Sequence, residues 1–98
     1  MPETDIHTRY ATLMEEAKKA SHGLWNEDDF RAWGKRALKL LDELCGVSNL
    51  YYTTFLKIHH EALGVGTGDI RFGTHLSLCI SILKSVYKEH AGETAAHG

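Results

Sequence analysis

The chain has 98 residues, 43% of them hydrophobic, with one proline at position 2, two cysteines and a formal net charge of −2. That is one domain's length of chain: enough to close a single core, too short for a core plus a separate catalytic domain, and too apolar for a disordered segment. Acidic and basic residues are interspersed, so no whole-domain field would draw it to nucleic acid or to an anionic membrane.

The N-terminal MPETDIHTRY lacks the basic start and apolar run of a signal peptide, and no stretch approaches about 18 consecutive apolar residues. Cys45 and Cys79 each sit among leucines or isoleucines, a pattern of buried thiols rather than of a secreted disulfide framework, although a bridge between them is left open. The expected location is cytoplasmic.

The spacing of apolar residues predicts four helices. From Thr4 or Asp5 to Ser21, a stripe of Ile6, Tyr10, Leu13, Met14, Ala17 and Ala20 opposes Arg9, Glu15, Glu16, Lys18 and Lys19, with a cap at residue 4 or 5 and Gly23 as the stop. Leu24 and Trp25 are expected to pin the turn. Asn26 followed by Glu27, Asp28 and Asp29 is a helix-start signal, because the amide side chain caps while the carboxylates meet the positive end of the dipole. This second helix, 27–45, places Phe30, Trp33, Ala37, Leu41 and Leu44 inward, ends at Gly46, and carries the most basic face of the chain in Arg31, Lys35, Arg36 and Lys39. Gly34 in its middle costs about 1 kcal/mol of helix propensity, and a close approach by another helix would explain it.

The third helix, 49–63, is capped by Ser48 or Asn49. Its apolar residues form two rows: Tyr51, Phe55, Ile58 and Ala62, then Tyr52, Leu56, His59 and Leu63. One row is expected in the core and the other at an interface. The glycine-rich GVGTGD of residues 64–69 reads as a loop, and Asp69 as the cap of the longest apolar-periodic segment, 69–91. That last helix carries Phe72, Leu76, Cys79, Leu83 and Val86 inward, with Ile80, Ile82 and Tyr87 widening the stripe. Gly92 is expected to close it and residues 93–98 to form a disordered tail or the start of a linker, leaving residues 1–92 as the domain. The fold class is all-α, a four-helix bundle with antiparallel neighbours.

Candidate chemistry is sparse. The loop with Gly66 and Gly68, followed by Arg71, offers amides and a cation to a phosphate or nucleotide, although the P-loop pattern GxxxxGK[ST] is absent. His59, His60 and Glu61 suggest a metal, with His75 and His90 as further ligands. Adjacent histidines on a helix diverge by about 100°, so no metal and no cofactor is expected. Phe30 with Trp33, and Tyr51 with Tyr52, have the composition of base-stacking platforms, but at helical spacing aromatics belong to the core.

Arg71 and His75, four apart on one helix face, form a cation beside an imidazole. This pair resembles that of the HEPN ribonucleases, small helical bundles in which arginine stabilises phosphate charge and histidine moves a proton. Only Phe72, Gly73 and Thr74 intervene here, fewer than in that family. A broader resemblance lies in DDFRAWGKRALKLLDELCGVSNLYYTTFLKI and HLSLCISILKSVYKEHAGE. Phe30, Trp33, the leucine row, Gly46, Ser48, Phe55, the Ile-Leu-Lys-Ser run at 82–85 and Gly92 resemble a helical module at the N-terminus of multidomain bacterial proteins of phage-defence or mobile-element settings. Those residues are packing residues, and the resemblance implies an adjoining effector domain.

The function expected is therefore a non-enzymatic protein–protein interaction or homodimerisation module. Tyr52, Leu56, His59, Leu63 and Ile82 would form its interface, and its partner would be a second copy or an adjoining effector. Neither membrane nor nucleic acid is an expected partner. The alternatives are a ribonuclease using Arg71 and His75, and a phosphate-ligand sensor using Gly66, Gly68 and Arg71.

Overall fold

The computed structural model describes residues 2–21 and 25–97, and the side chains of residues 6–20 and 25–90. Four helices are described: α1 (Pro2–Ser21), α2 (Glu27–Cys45), α3 (Leu50–Val65) and α4 (Ile70–His97). The order and all-helical class are as expected from the periodicity.

The boundaries differ in three places. Helix α1 begins at Pro2 rather than at residue 4 or 5, a position where proline's fixed φ suits a first turn that has no use for its amide hydrogen. Helix α3 absorbs Gly64 and Val65 and stops at Gly66, whose φ of 89° is the left-handed value glycine tolerates and whose amide donates to the Ala62 carbonyl oxygen at 3.0 Å. Helix α4 continues through Gly92 to His97. A single glycine costs a helix about 1 kcal/mol, which is not by itself a stop when no proline follows it. The expected stop at Gly23 and the packing of Leu24 lie outside the described residues.

Helix α2 starts on a reciprocal cap: the Asn26 side chain accepts the Asp29 amide at 2.9 Å, and the Asp29 carboxylate accepts the Asn26 amide at 3.2 Å. It ends at Gly46, with φ 88°, whose amide donates to the Asp42 carbonyl oxygen at 2.9 Å. Asn49, rather than Ser48, caps α3 by accepting the Tyr51 amide at 2.8 Å. Asp69 caps α4 by accepting the Arg71 amide at 2.8 Å.

The four pairs α1–α2, α2–α3, α3–α4 and α1–α4 are antiparallel, as the contacts between them require, whereas α2 and α4 run parallel, with Phe30 against Phe72 at their starts. Arg9 meets Glu43 and Glu16 meets Arg36 across α1 and α2. Trp33 meets Phe55 and Phe30 meets His59 across α2 and α3. Tyr51 meets Glu89 and Glu61 meets His75 across α3 and α4. Tyr10 stacks on Tyr87 at 3.9 Å across α1 and α4, and the Tyr87 hydroxyl is hydrogen-bonded to His7 Nδ1. Helices α2 and α4 also touch, whereas α1 and α3 share no contact among the described residues, so they lie on opposite sides of the α2–α4 pair. At 28 residues α4 is about 42 Å long, which matches the 44 Å long dimension of the molecule.

The centre is aromatic. Phe30 touches Trp33, His59 and Phe72, with the Phe72 ring edge-on at 4.8 Å, and Trp33 touches Phe55. Trp25 closes the cluster from the α1–α2 connection, 5.5 Å from Trp33. Phe30, Trp33 and Phe55 are fully buried, so the pair that resembled a stacking platform is core. The Trp33 indole N–H donates to the Leu13 carbonyl oxygen at 3.0 Å and ties α1 to α2.

Candidate functional site

Three places carry the polar or exposed groups from which a function can be built. The first is the α3–α4 connection. Asp69 grips Arg71 in a two-pronged ion pair, Nε to Oδ1 and Nη2 to Oδ2, both at 3.0 Å, while also accepting the Arg71 amide. Those contacts hold the Asp69 carboxyl at a pKa of about 2. The carboxylate thus occupies the Arg71 amide and one edge of its guanidinium, and offsets the charge that the ribonuclease resemblance would direct at a scissile phosphate. His75 donates from Nδ1 to the Arg71 carbonyl oxygen at 2.9 Å, and its Nε2 lies 4.0 Å from Glu61. Arg71 and His75 are therefore neighbours, as their spacing predicts, with Nε and Nη2 of Arg71 held by Asp69 and Nδ1 of His75 held by the Arg71 carbonyl oxygen. An added Cβ on Gly68 meets nothing within 4 Å, whereas one on Gly66 approaches the Glu27 carboxylate at 3.3 Å. That carboxylate is a second negative charge beside the loop.

The second place is α3. Its expected interface row does not stay together. His59 is 5% exposed and points into α2, where its ring lies over Gly34 and Nε2 is 3.0 Å from the Phe30 carbonyl oxygen. A carbonyl only accepts, so Nε2 carries the proton. Burial is the largest influence on this imidazole and pushes its pKa below the usual value, outweighing the Phe30 hydrogen bond. Gly34 is explained by the same contact: any side chain there would overlap the His59 ring. The close approach expected at Gly34 is thus made by a side chain of α3.

Successive helical residues turn by about 100°. Tyr51 and Glu61, which face α4, fall on one flank of the buried Phe55 and Ala62. Tyr52, Leu56 and Leu63 fall on the other flank, beyond His59 and towards α2. On α4, His75, Ile82 and Glu89 are spaced by sevens; the outer two meet α3, so Ile82 lies in the α3–α4 seam, away from Leu56. Tyr52, Leu63 and Ile82 are half-buried, and Leu56 is 46% exposed. The outward surface of α3 is completed by Leu50, 78% exposed, with Thr53, Lys57 and His60.

The third place is a cleft of about 420 Å³ between α1 and α2, lined by Thr8, Arg9, Thr12, Leu13, Arg36 and Lys39. The basic face of α2 is legible in the sequence, but the α1 half of this cleft is not singled out by periodicity. The signal lies in the i, i+4 pair Thr8 and Thr12 beside Arg9, which is visible only once α1 is known to pack on the Arg36 and Lys39 side of α2.

Both cysteines are free; Cys79 is fully buried, which pushes its thiol up to about 12, and Cys45 donates to the Leu41 carbonyl oxygen at 3.1 Å. Among the described residues no three His, Cys, Asp or Glu side chains converge as a metal site would require. No described helix is long and apolar enough to cross a membrane.

The class the structure defines is an all-α four-helix bundle. No family model matches the chain, and neither does any curated protein or solved structure.

Proposed function

We propose that the chain is a non-enzymatic interaction module that associates with a second copy of itself through the outward surface of α3. The observation that carries this reading is the character of that helix. It holds two formal charges, Lys57 and Glu61, in 16 residues, where α2 holds five acidic and four basic residues in 19. A surface helix in a monomer ordinarily carries its charges on the solvent side. Here that side presents Leu56, with Tyr52 and Leu63 half-buried beside it, and, further round the helix next to Lys57, Leu50. A two-fold axis needs one self-complementary patch, and a sparsely charged helix face provides it without placing like charges opposite each other.

Of the five residues expected at the interface, Tyr52, Leu56 and Leu63 remain in this proposal. His59 is core, and Ile82 belongs to the other seam. The two unbridged thiols fit a reducing, cytoplasmic setting. The resemblance to bacterial defence modules supports an adjoining effector as the partner served by the same face.

Sedimentation equilibrium tests the proposal. The wild type should weigh as a dimer, and Leu56→Glu should weaken association at least about tenfold, or ~1.4 kcal/mol. A wild type that stays monomeric at about 1 mM, a concentration that populates even weak dimers, overturns it.

A further inference from the structure

The α1–α2 cleft has a construction that the proposed association face does not explain. Two ion pairs close its ends. The Glu43 carboxylate holds Arg9 at 2.7 and 2.9 Å, and the Glu16 carboxylate holds Arg36 at 2.6 Å. In the antiparallel register the span between them is about 10 Å along α1, at 1.5 Å per residue. Thr12 and Leu13 occupy that span on α1, and Lys39 occupies it on α2.

Lys39 is unlike the two arginines. Its field reaches Glu43, but among the described residues no carboxylate lies within ion-pair distance of its ammonium. The Thr8 and Thr12 hydroxyls likewise make no hydrogen bond to described protein atoms, although both line the cleft. Among the described side chains Glu43 and Glu16 hold the two arginines and leave Lys39 as the cleft cation with no carboxylate at ion-pair distance, set beside the accessible edge of the largely buried Leu13.

We propose that this cleft binds a small organic phosphate. Lys39 supplies the charge, Thr8 and Thr12 donate to phosphate oxygens, and Leu13 meets the apolar body of the ligand. A tetrahedral phosphate presents oxygens in several directions and suits one point-charge ammonium with two separate hydroxyls. A planar carboxylate is better served by a guanidinium fork; the Arg9 fork already holds Glu43, and Arg36 is bound to Glu16 through Nη1. The volume of about 420 Å³ falls within the range of small-molecule sites, about 300–1,000 Å³.

The test is a titration of the isotopically labelled, full 98-residue chain with phenyl phosphate, followed by amide chemical shifts, with benzoate and inorganic phosphate as controls. Shifts should concentrate at residues 8–13 and 36–39. Lys39→Met should weaken binding at least about tenfold, and Lys39→Arg should retain most of it. Lys39 is exposed, so neither variant threatens the fold. No response below about 10 mM phenyl phosphate, an affinity too weak to be specific, overturns the site. An equal response to benzoate overturns the phosphate assignment, an equal response to inorganic phosphate overturns the role of Leu13, and undiminished binding by Lys39→Met overturns the role given to Lys39.

Discussion

Gly34 and His59 form the contact on which the α2–α3 packing depends. Replacing Gly34 by alanine improves intrinsic helix propensity by about 1 kcal/mol, yet the new methyl overlaps the His59 ring. Overpacking of this kind costs about 1–3 kcal/mol, so we expect Gly34→Ala to be net destabilising in urea denaturation. The same substitution in a His59→Ala background should cost less, because the overlapping ring is gone. His59 also carries a pH dependence. Its folded pKa lies below the ordinary 6.5, mainly through burial, with Arg31 and His60 adding to the depression. The stability it supports is complete above pH 6.5 and is lost as the pH falls from there through the folded value, since the unfolded state then binds the proton more readily. Denaturation midpoints between pH 7 and pH 5 should fall in the wild type and fall less steeply in His59→Gln.

Individual helices are held by different means. Helix α2 has a complete cap at Asn26 and Asp29, and Asn26→Ala should cost about 1 kcal/mol of stability measured by denaturant. Helix α1 depends on what it packs against. Its buried residues Leu13, Ala17 and Ala20 are small in number, and the Trp33 indole reaches across to its Leu13 carbonyl. Trp33→Phe removes that hydrogen bond and part of the indole volume, an expected loss of about 1–3 kcal/mol. Hydrogen exchange should show protection falling first in α1, the helix that shares no contact with α3. The Arg9–Glu43 and Arg36–Glu16 pairs stand at a solvent-facing rim, where they orient the cleft more than they stabilise the bundle.

For the whole molecule, Arg71 and His75 each have a partner within the chain, and the exposed apolar residues are not covered by it. Arg71 is bound by Asp69, and His75 by the Arg71 carbonyl. Leu50, Leu56 and Leu78 stand in solvent, at 78%, 46% and 46% exposure. Association should therefore respond to substitutions on α3, and the cleft between α1 and α2 should respond to phenyl phosphate independently. The cleft variant Lys39→Met is expected to leave the sedimentation mass unchanged, and Leu56→Glu to leave the phenyl phosphate response unchanged.

The four-helix class, the inward row of α4, that of α2 apart from the half-buried Leu44 and the fully buried Leu40, the Asn26 and Asp69 caps and the break at Gly46 were legible in the sequence, because each depends on residues within a few positions of one another. The caps need only a side chain and an amide two or three residues away, and the inward rows need only the 3.6-residue repeat. What α3 does with its two apolar rows was decided by tertiary structure alone. Rows related by about 100° differ little in composition, and the choice fell on the packing surface that α2 offers at Gly34, a site shaped for the His59 ring. The cleft between α1 and α2 is likewise tertiary, since its residues come from two helices whose register is set by pairs such as Arg9 with Glu43, 34 positions apart. Local periodicity cannot encode which distant helix flank is turned towards another; only the simultaneous burial of all four apolar stripes does.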